Sequence, residues 1–325
     1  MGAKTRIRWG IIGCGAVTEV KSGPAYQQVA GFELAAVMRR DAALAKDYAR
    51  RHGVKKYYSN AQELISDKSI DAVYIATPPD THKLYGFMVA NAGKPCCIEK
   101  PLAPNFDDAK DIVEAFEYAA KPLFVAYYRR SLPRFIRIKE CLAQAIIGQV
   151  RHVQWQLNRQ ASDKDLAGVS HWRTDAKVAP GGYFDDLACH GLDLFAHLLG
   201  DYEHISGHSI NQQHLYAASD AVVGSWVHDT GVTGNGSWNF ASAARKDEVL
   251  ITGSDGEIQF SVFEERPVIV RNSDGEQSID IANPINIQLH HVENMYEHLV
   301  NGIPHPSTGI TALHTNWAMH SILNT

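Results

Sequence analysis

The first part of the chain takes its fold from the segment Ile7-Arg-Trp-Gly-Ile-Ile-Gly13-Cys-Gly15-Ala-Val-Thr18. Its apolar run predicts a β-strand, and its two glycines predict a tight turn that leads directly into a helix. Glycine permits the turn at the first position, and at the second it lets a pyrophosphate approach the N–H groups that begin the helix. The third position of this dinucleotide-binding pattern is Thr18 instead of Gly or Ala, so the pattern is incomplete. An ordinary βα turn is the alternative interpretation.

Short apolar runs alternate with helix-length amphipathic stretches through the first third of the chain. The runs cover residues 7–12, 32–38, 71–76, 95–98 and 123–126. The sequence Asp-Ala-Val-Tyr-Ile-Ala at 71–76 is almost continuously apolar, which is typical of a parallel strand covered by helices on both faces. The rhythm predicts an α/β Rossmann domain with a doubly wound parallel sheet over residues 1–125.

The pattern changes near residue 150. Apolar residues stand at alternate positions from Val153 to Leu157, which predicts a strand with one apolar and one polar face. Hairpin signals between β-rich runs lie at 221–240, 255–256 and 274–275, and helix patterns cover 183–199, 288–301 and 311–323. We therefore predict a second domain, residues 126–325, of α+β class with an open, mainly antiparallel sheet.

The composition is that of a globular protein of about two domains. The 325 residues are 45% hydrophobic, enough for a large core. Lys and Arg number 31 against 36 Asp and Glu, a net charge of −5, so no overall basic field favours nucleic acid or an anionic membrane. No apolar run approaches the roughly 20 residues that cross a bilayer. The N-terminal segment 1–9 lacks the apolar core of a signal peptide, so we expect a cytoplasmic protein.

The cysteines give no sign of a disulfide framework or a structural zinc site. No CxxC pair occurs among the five, which are Cys14, Cys96, Cys97, Cys141 and Cys189. An odd set without that spacing predicts reduced and mostly buried thiols.

The end of the second predicted strand indicates which cofactor is bound. An NAD site usually offers Asp or Glu to the ribose at this point, whereas the chain reads Arg39-Arg40-Asp41. Two guanidinium groups suit a 2′-phosphate, so NADP is favoured and NAD is the alternative. The arginines are otherwise solvated loop charges, and Asp41 either caps the next helix or reaches the ribose.

Three further segments complete a pattern that runs through nearly the whole chain. They are Ala76-Thr-Pro-Pro-Asp-Thr-His82, Glu99-Lys100-Pro101-Leu102, and Gly181-Gly-Tyr-Phe-Asp-Asp186-Leu-Ala-Cys-His190-Gly-Leu-Asp193. With the glycine turn, their order and spacing resemble the glucose-fructose oxidoreductase and inositol dehydrogenase (Gfo/Idh/MocA-like) family. The resemblance implies a Rossmann domain followed by an open antiparallel sheet, with the substrate between them, in a homodimer or homotetramer.

The resemblance also implies roles for particular residues. It makes Lys100, Asp186 and His190 the catalytic group. With the residues of the glycine turn and of the second strand, the candidate cofactor-binding residues are Gly13, Gly15, Ala16, Val17, Arg39, Arg40, Thr77, Pro78, His82, Glu99 and Lys100. The candidate substrate-binding residues are Lys100, Tyr128, Arg129, Trp172, Arg173, Asp186, His190 and Asp193.

Elementary geometry supports part of this assignment. A lysine at the carboxyl end of a parallel strand lies where doubly wound folds bind ligands, and Pro101 restricts the backbone of Lys100. Asp186, His190, Asp193 and His197 follow at helical spacings of four, three and four, so they share one helix face. A solvated helix face and a metal site are the alternatives, and we assign no metal.

The preferred roles follow from chemistry. His190 is the general acid/base because the ordinary pKa of histidine lies near neutrality, although Lys100 could share that role. Asp186 orients the ring or tunes Lys100, Asp193 binds a substrate hydroxyl or supports the helix, and His197 is structural. The predicted activity is NAD(P)-dependent oxidation or reduction of a sugar, polyol or cyclitol. The alternative function is a non-catalytic NADP(H)-binding sensor or regulator.

Overall fold

The computed structural model describes residues 6–324, so the first five residues of the N-terminal segment lie outside it. The chain packs as two compact units. The first runs up to Leu132 and includes Pro284–Leu313, and the second comprises Pro133–Asn283 and the residues from His314 onward. The domain bounds predicted from the sequence, 1–125 and 126–325, stay a prediction; the packing units differ from them most at 284–313.

The first unit contains a six-stranded parallel sheet with the order β3-β2-β1-β4-β5-β6. Its strands are β1 (Ile7–Ile12), β2 (Phe32–Met38), β3 (Lys56–Tyr58), β4 (Ala72–Ile75), β5 (Cys96–Ile98) and β6 (Leu123–Val125). Its helices before residue 132 are α1 (Ala16–Val20), α2 (Ala25–Gln28), α3 (Ala42–His52), α4 (Ala61–Ser66), α5 (His82–Asn91) and α6 (Phe106–Tyr118). The predicted doubly wound α/β sheet is confirmed.

The strand order places a switch point at the glycine turn. Strands β2 and β3 follow β1 on one side, whereas β4, β5 and β6 lie on the other. In such sheets, ligands bind outside the carboxyl ends of the strands where the order reverses. The turn after β1 and the loops after β4 and β5 therefore lie in the region where this fold binds ligands.

Residues 284–313 return to the first unit. This segment contains α10 (Leu289–Tyr296), followed by a π-helical turn at Glu297–Asn301. Val292 and Met295 are fully buried in the same apolar cluster as Trp9 on β1 and Tyr74 on β4. The burial of these side chains attaches the segment to the parallel sheet, and it brings residues from late in the chain to the strand ends.

The second unit contains an eight-stranded sheet with the order β14-β13-β12-β11-β7-β10-β9-β8. Its strands are β7 (Val150–Asn158), β8 (Tyr202–Ile210), β9 (Ala221–His228), β10 (Thr233–Asn239), β11 (Lys246–Gly253), β12 (Gly256–Phe260), β13 (Val268–Asn272) and β14 (Gly275–Ile279). Its helices are α7 (Pro133–Ala143), α8 (Asp163–Leu166), α9 (Tyr183–Leu199) and most of α11 (Gly309–Leu323). Neighbouring strands are antiparallel except β7 and β10, so the predicted mainly antiparallel sheet is confirmed.

Helix α9 lies directly on the apolar face of this sheet. A Cβ atom at Gly191 would overlap the ring of Trp155 on β7, so glycine permits the close approach. The Trp155 ring meets Phe195 of α9 at 5.7 Å and Trp238 of β10 at 5.6 Å, both edge to face. The Trp155 indole N–H donates to Asp247 at 3.0 Å, which satisfies its buried polar group. This packing fixes the helix that carries the predicted Asp and His residues.

Candidate active site

The glycine turn is closely packed at Gly13 and open at Gly15. Gly13 has a φ of +90°, and a Cβ atom there would lie 2.6 Å from a methyl carbon of Thr77 and 2.9 Å from a backbone oxygen of the β4–α5 loop. Gly15 is the N-cap of α1, where an added Cβ meets nothing closer than 3.7 Å. The turn can thus exist only with glycine at position 13, and it leaves open space beside position 15. Ala16 and Val17 form the first turn of α1.

The unusual third position is accommodated by a hydrogen bond. Thr18 is fully buried, and its hydroxyl donates to the carbonyl of Gly15 at 2.8 Å. Its own carbonyl accepts from the Tyr48 hydroxyl at 2.8 Å. Threonine therefore closes the turn with its side chain, so the incomplete pattern still forms the expected strand–turn–helix.

The loop after β2 contains two exposed arginines and an aspartate whose carboxylate caps the next helix. Arg39 and Arg40 are exposed, and Arg39 Nη1 lies 3.4 Å from the carbonyl oxygen of Cys14 in the glycine turn. Asp41 is the N-cap of α3, where one of its carboxylate oxygens accepts N–H groups from Ala43 and Leu44 at 2.9 and 3.1 Å. Of the two interpretations for Asp41, the structure shows helix capping.

His82 joins the two loops that follow β4 and β5. The ring is fully buried, with Nε2 at 2.8 Å from the carbonyl oxygen of Thr77 and Nδ1 at 3.1 Å from those of Pro101 and Leu102. Burial lowers the pKa of His82. Pro78 is exposed in the first of these loops. The contacts of His82 are thus with backbone on both sides, and its contact with a cofactor stays a prediction.

Glu99 and Lys100 follow β5, and the Lys100–Pro101 bond is cis. The Glu99 carboxylate is 7% exposed; its Oε1 accepts from the Tyr74 hydroxyl at 2.5 Å and from Gln288 Nε2 at 2.8 Å. Its Oε2 accepts from the backbone N–H of Lys100 at 3.2 Å. Sequence reasoning missed Tyr74, which is hidden in an apolar strand, and Gln288, which is distant in the chain.

The second unit places Asp186 and His190 one turn apart on α9. They are 7% and 4% exposed, respectively. Arg173 Nε donates to Asp186 Oδ2 at 2.5 Å, and its guanidinium lies over the Trp172 ring at 4.3 Å from the ring centroid. The His190 ring meets Phe263 edge to face at 5.7 Å. The predicted residues Trp172, Arg173 and Asp186 are therefore brought together.

The other predicted residues of this helix contact protein groups. Asp193 is fully buried and accepts from the Thr315 hydroxyl at 3.2 Å, which is the contact expected of a supporting residue. The Lys139 amine on α7 lies 3.2 Å from Nε2 of His197. A role for Asp193 in binding a substrate hydroxyl stays a prediction.

Asp185 is a buried acid that sequence reasoning missed. It is 5% exposed, and its Oδ2 accepts the Gly181 N–H at 2.9 Å. Burial raises the pKa of Asp185 to about 7; the Gly181 N–H opposes the shift and the neighbouring Asp186 carboxylate adds to it. The acidic pair at 185–186 was the available signal, but only the structure separates a buried acid from an ion-paired one.

Tyr128 and Arg129 lie in a single 3-10 turn after β6. Both are buried, at 7% and 4% exposed, and the Arg129 guanidinium lies 5.0 Å from the Tyr128 ring centroid. This turn belongs to the first unit, so its place is with the strand ends of the parallel sheet. Their contact with substrate stays a prediction.

Other features of residues 6–324 concern metals, membranes and thiols. In that range, no group of three or more His, Cys, Asp or Glu side chains is placed to hold a metal ion. None of the helices described there has the length and apolar character needed to span a bilayer. All five cysteines are free and buried, as predicted.

Comparisons with known proteins identify the family. Residues 7–127 match the profile of an oxidoreductase family with an NAD-binding Rossmann fold, and residues 135–259 match the GFO/IDH/MocA C-terminal domain. The chain is 38% identical to oxidoreductase P35 of Formosa agariphila over 291 residues, 89% of this chain and 90% of that one. It is 27% identical to trans-1,2-dihydrobenzene-1,2-diol dehydrogenase of Bos taurus over 260 residues, 78% and 73% of the two chains.

A solved structure shows the same fold. Levoglucosan dehydrogenase in complex with NADH and levoglucosan superposes with a TM-score of 0.86 at 19% identity, covering 98% of this chain and 96% of that one. The profiles and the 38% identical relative together establish the relationship. The chain belongs to the Gfo/Idh/MocA family of oxidoreductases with an NAD-binding Rossmann fold.

Proposed function

We propose that this oxidoreductase is a sugar, polyol or cyclitol dehydrogenase or reductase that uses NADP in preference to NAD. The observation that carries the proposal is the buried pair Asp186 and His190 on α9. Asp186 is held by its ion pair with Arg173, and His190 lies one helical turn along at 4% exposure. A carboxylate and an imidazole, side chains typical of general acid/base catalysis, are thus buried on one helix. The pair occupies the motif positions that the family resemblance assigns to catalysis.

The residues of the first unit fit a dinucleotide. Gly13 lets the turn pack against the β4–α5 loop, where a side chain would clash, and Gly15 leaves the start of α1 open. Arg39 and Arg40 are exposed in the loop after β2, and Arg39 lies beside this turn, whereas the Asp41 carboxylate caps α3. Two guanidinium groups without a competing carboxylate suit a 2′-phosphate, which supports NADP. When bound, the nicotinamide supplies the acceptor or donor of the hydride.

The chain's own residues move the proton and stabilise charge. In the oxidation direction, the carbinol C–H leaves as hydride, the O–H proton passes to His190, and a C=O bond forms; reduction reverses each transfer. Lys100 donates a hydrogen bond to the substrate oxygen, which carries the developing negative charge. Asp186, held by Arg173 at 2.5 Å, orients the His190 ring or tunes Lys100.

Several side chains are proposed to bind the substrate. The Trp172 face and the Arg173 guanidinium suit the apolar face and the hydroxyls of a ring, and Tyr128, Arg129 and Asp193 are the further candidates. The related diol dehydrogenase and levoglucosan dehydrogenase support a cyclic substrate with carbinol carbons, by their names alone. We also propose that the protein is cytoplasmic and that it forms a homodimer or homotetramer. Light scattering tests the number of subunits.

The test follows nicotinamide absorbance with NADP(H) and NAD(H) against a panel of sugars, polyols, cyclitols and their ketones. Lys100→Met and His190→Asn should each retain NADPH binding and lose turnover by about a hundredfold or more. The matched control is His204→Asn, because His204 is exposed on β8. NADP(H) binding without turnover on any substrate would favour the sensor instead, and near-normal turnover of Lys100→Met would remove Lys100 from the catalytic group.

A further inference from the structure

Gln288 is a buried amide that touches the loop carrying Lys100. It lies at the N-cap of α10 and is 1% exposed. Its Nε2 donates to Glu99 Oε1 at 2.8 Å. Glu99 in turn accepts the backbone N–H of Lys100 through its other oxygen at 3.2 Å. Gln288 is thus separated from the backbone of Lys100 by a single carboxylate.

The backbone of Gln288 is fixed independently of this contact. Its N–H donates to the carbonyl of Lys21 at 3.2 Å, at the C-cap of the helix that begins with the glycine turn. Its carbonyl accepts from Val292 at 3.0 Å within α10. The neighbouring Asn286 side chain donates to the carbonyl of Val20 at 2.5 Å. The amide therefore projects from an anchored backbone and can act as a rigid brace.

The amide of Gln288 is only half satisfied by the protein. Its Oε1 is buried and has no hydrogen-bond partner within residues 6–324. A buried polar atom without a partner destabilises the fold, so a side chain retained for packing alone would better be apolar. The reverse orientation would point Oε1 at the Glu99 carboxylate, which is repulsive, so Nε2 must face Glu99. The hydrogen bond from Nε2 to Glu99 therefore explains why an amide, and not an apolar side chain, stands at position 288.

We propose that Gln288 is a positioning residue, which holds the Glu99 carboxylate and through it fixes Lys100 for its action on the substrate oxygen. The inference rests on the proposed function, since it takes Lys100 as the group that meets substrate. The Tyr74 hydroxyl donates a second hydrogen bond to Glu99 Oε1 at 2.5 Å. Loss of the Gln288 amide therefore leaves that oxygen with one hydrogen bond.

The groups around Glu99 do not change their charge near neutral pH, so a pH-dependent effect there can be assigned to a new carboxylate. Besides Lys100, whose backbone N–H bonds to Glu99, the groups within residues 6–324 whose pKa responds to the Glu99 charge include four neutral ones. They are Tyr26 on α2, Tyr74 on β4, His82 on α5 and Cys97 on β5. Burial raises the pKa of both tyrosines and of Cys97, and it lowers the pKa of His82. All four are therefore uncharged near neutral pH.

The diagnostic variant is Gln288→Glu. Near pH 8 it sets a second carboxylate against Glu99, and the repulsion should disturb the brace. As the pH falls towards about 6, the pair takes up a proton, and the protonated carboxyl donates to Glu99 as the amide does. The deficit in kcat relative to wild type should therefore shrink from about tenfold near pH 8 to about twofold near pH 6. Gln288→Leu, which has no donor, should lose about tenfold at both pH values with little change in KM.

The matched control is Asn286→Ala, which loosens the same segment without touching Glu99. It should lower the melting temperature and leave kcat, KM and the pH profile unchanged. If Gln288 serves only the fold, both Gln288 variants will behave as Asn286→Ala does. That result would overturn the inference, as would a Gln288→Glu deficit that does not change with pH.

A second measurement works without a substrate. Competitive acetylation of the Lys100 amine, quantified by peptide mass spectrometry on the full-length protein, reports its exposure and basicity. In Gln288→Leu the acetylation rate at Lys100 should differ from wild type by about threefold or more, while the rate at Lys94 stays unchanged. In the control Asn286→Ala the rate at Lys100 should equal that of wild type. Equal rates would contradict the brace even if the enzyme is active. Conversely, if wild type is inactive on every substrate but the acetylation rate at Lys100 changes in Gln288→Leu, the result would count against the proposed function and not against the role of Gln288.

Discussion

The buried acid Asp185 gives a prediction whose size follows from the structure. It is 5% exposed at the start of α9 and receives one N–H bond, from Gly181. Burial raises its pKa from 3.8 to about 7. The folded chain thus keeps a proton that the unfolded chain releases, so the unfolded state binds fewer protons between those two values and stability falls as the pH rises from about 4 to about 7.

The magnitude follows from the same two values. About three pH units at roughly 1.4 kcal/mol each give at most about 4 kcal/mol of unfolding free energy. Asp185→Asn carries no charge at any pH and its side-chain oxygen can still accept the Gly181 N–H. The variant should therefore be more stable than wild type near pH 8, on the order of 10 °C in melting temperature, with the gain disappearing near pH 4.

The assay is thermal unfolding of both proteins across that pH range, with Asp280→Asn as the control because Asp280 is exposed. The control should track wild type at every pH. If Asp185→Asn differs from wild type by the same amount at pH 4 and pH 8, the carboxyl does not hold a proton in the fold and the reasoning is wrong.

The remaining predictions concern the cofactor and the packing of α9. Replacing Arg39 and Arg40 together by alanine should weaken NADPH binding by about tenfold to a hundredfold and leave NADH binding nearly unchanged, measured by fluorescence titration; equal losses for both would exclude a 2′-phosphate contact. Gly13→Ala should abolish the binding of both cofactors, because φ is +90° and the new methyl lies 2.6 Å from Thr77; retained binding would show that the turn is not the cradle. Gly191→Ala should cost about 2 kcal/mol or more in denaturant unfolding, because the methyl overlaps the Trp155 ring, and an unchanged midpoint would show that α9 can move away.

Much of the fold follows from local signals in the sequence. Helix α9 begins and ends where its pattern predicts, because its apolar residues recur at helical spacing between the flanking Gly182 and Gly200. The burial of its Asp and His side as well was not evident from that spacing. The hairpin at 255–256 forms between β11 and β12 as its Asp-Gly pair indicates. Strand β3 was not predicted, because its three residues are largely exposed at the sheet edge and carry no apolar run.

What the sequence does not show are contacts made by residues far apart in the chain. The pattern at 288–301 predicts a helix, but nothing local indicates that it packs on the parallel sheet of the first unit. For the same reason the bonds from Tyr74 and Gln288 to Glu99 could not be predicted, since 25 and 189 positions separate the partners. The capping role of Asp41 was foreseeable only as one of two alternatives, because capping and ribose contact need the same residue at the same place.

We propose that Lys100 and His190 both serve the transition state of hydride transfer. A double-mutant cycle on kcat/KM, with Lys100→Met, His190→Asn and the double variant, tests this proposal. Groups that serve one transition state lose their effects together, so the double variant should be little worse than the more damaged single variant. Losses that simply multiply, or a double variant with near-wild-type kcat/KM, would show that the two residues do not serve one transition state.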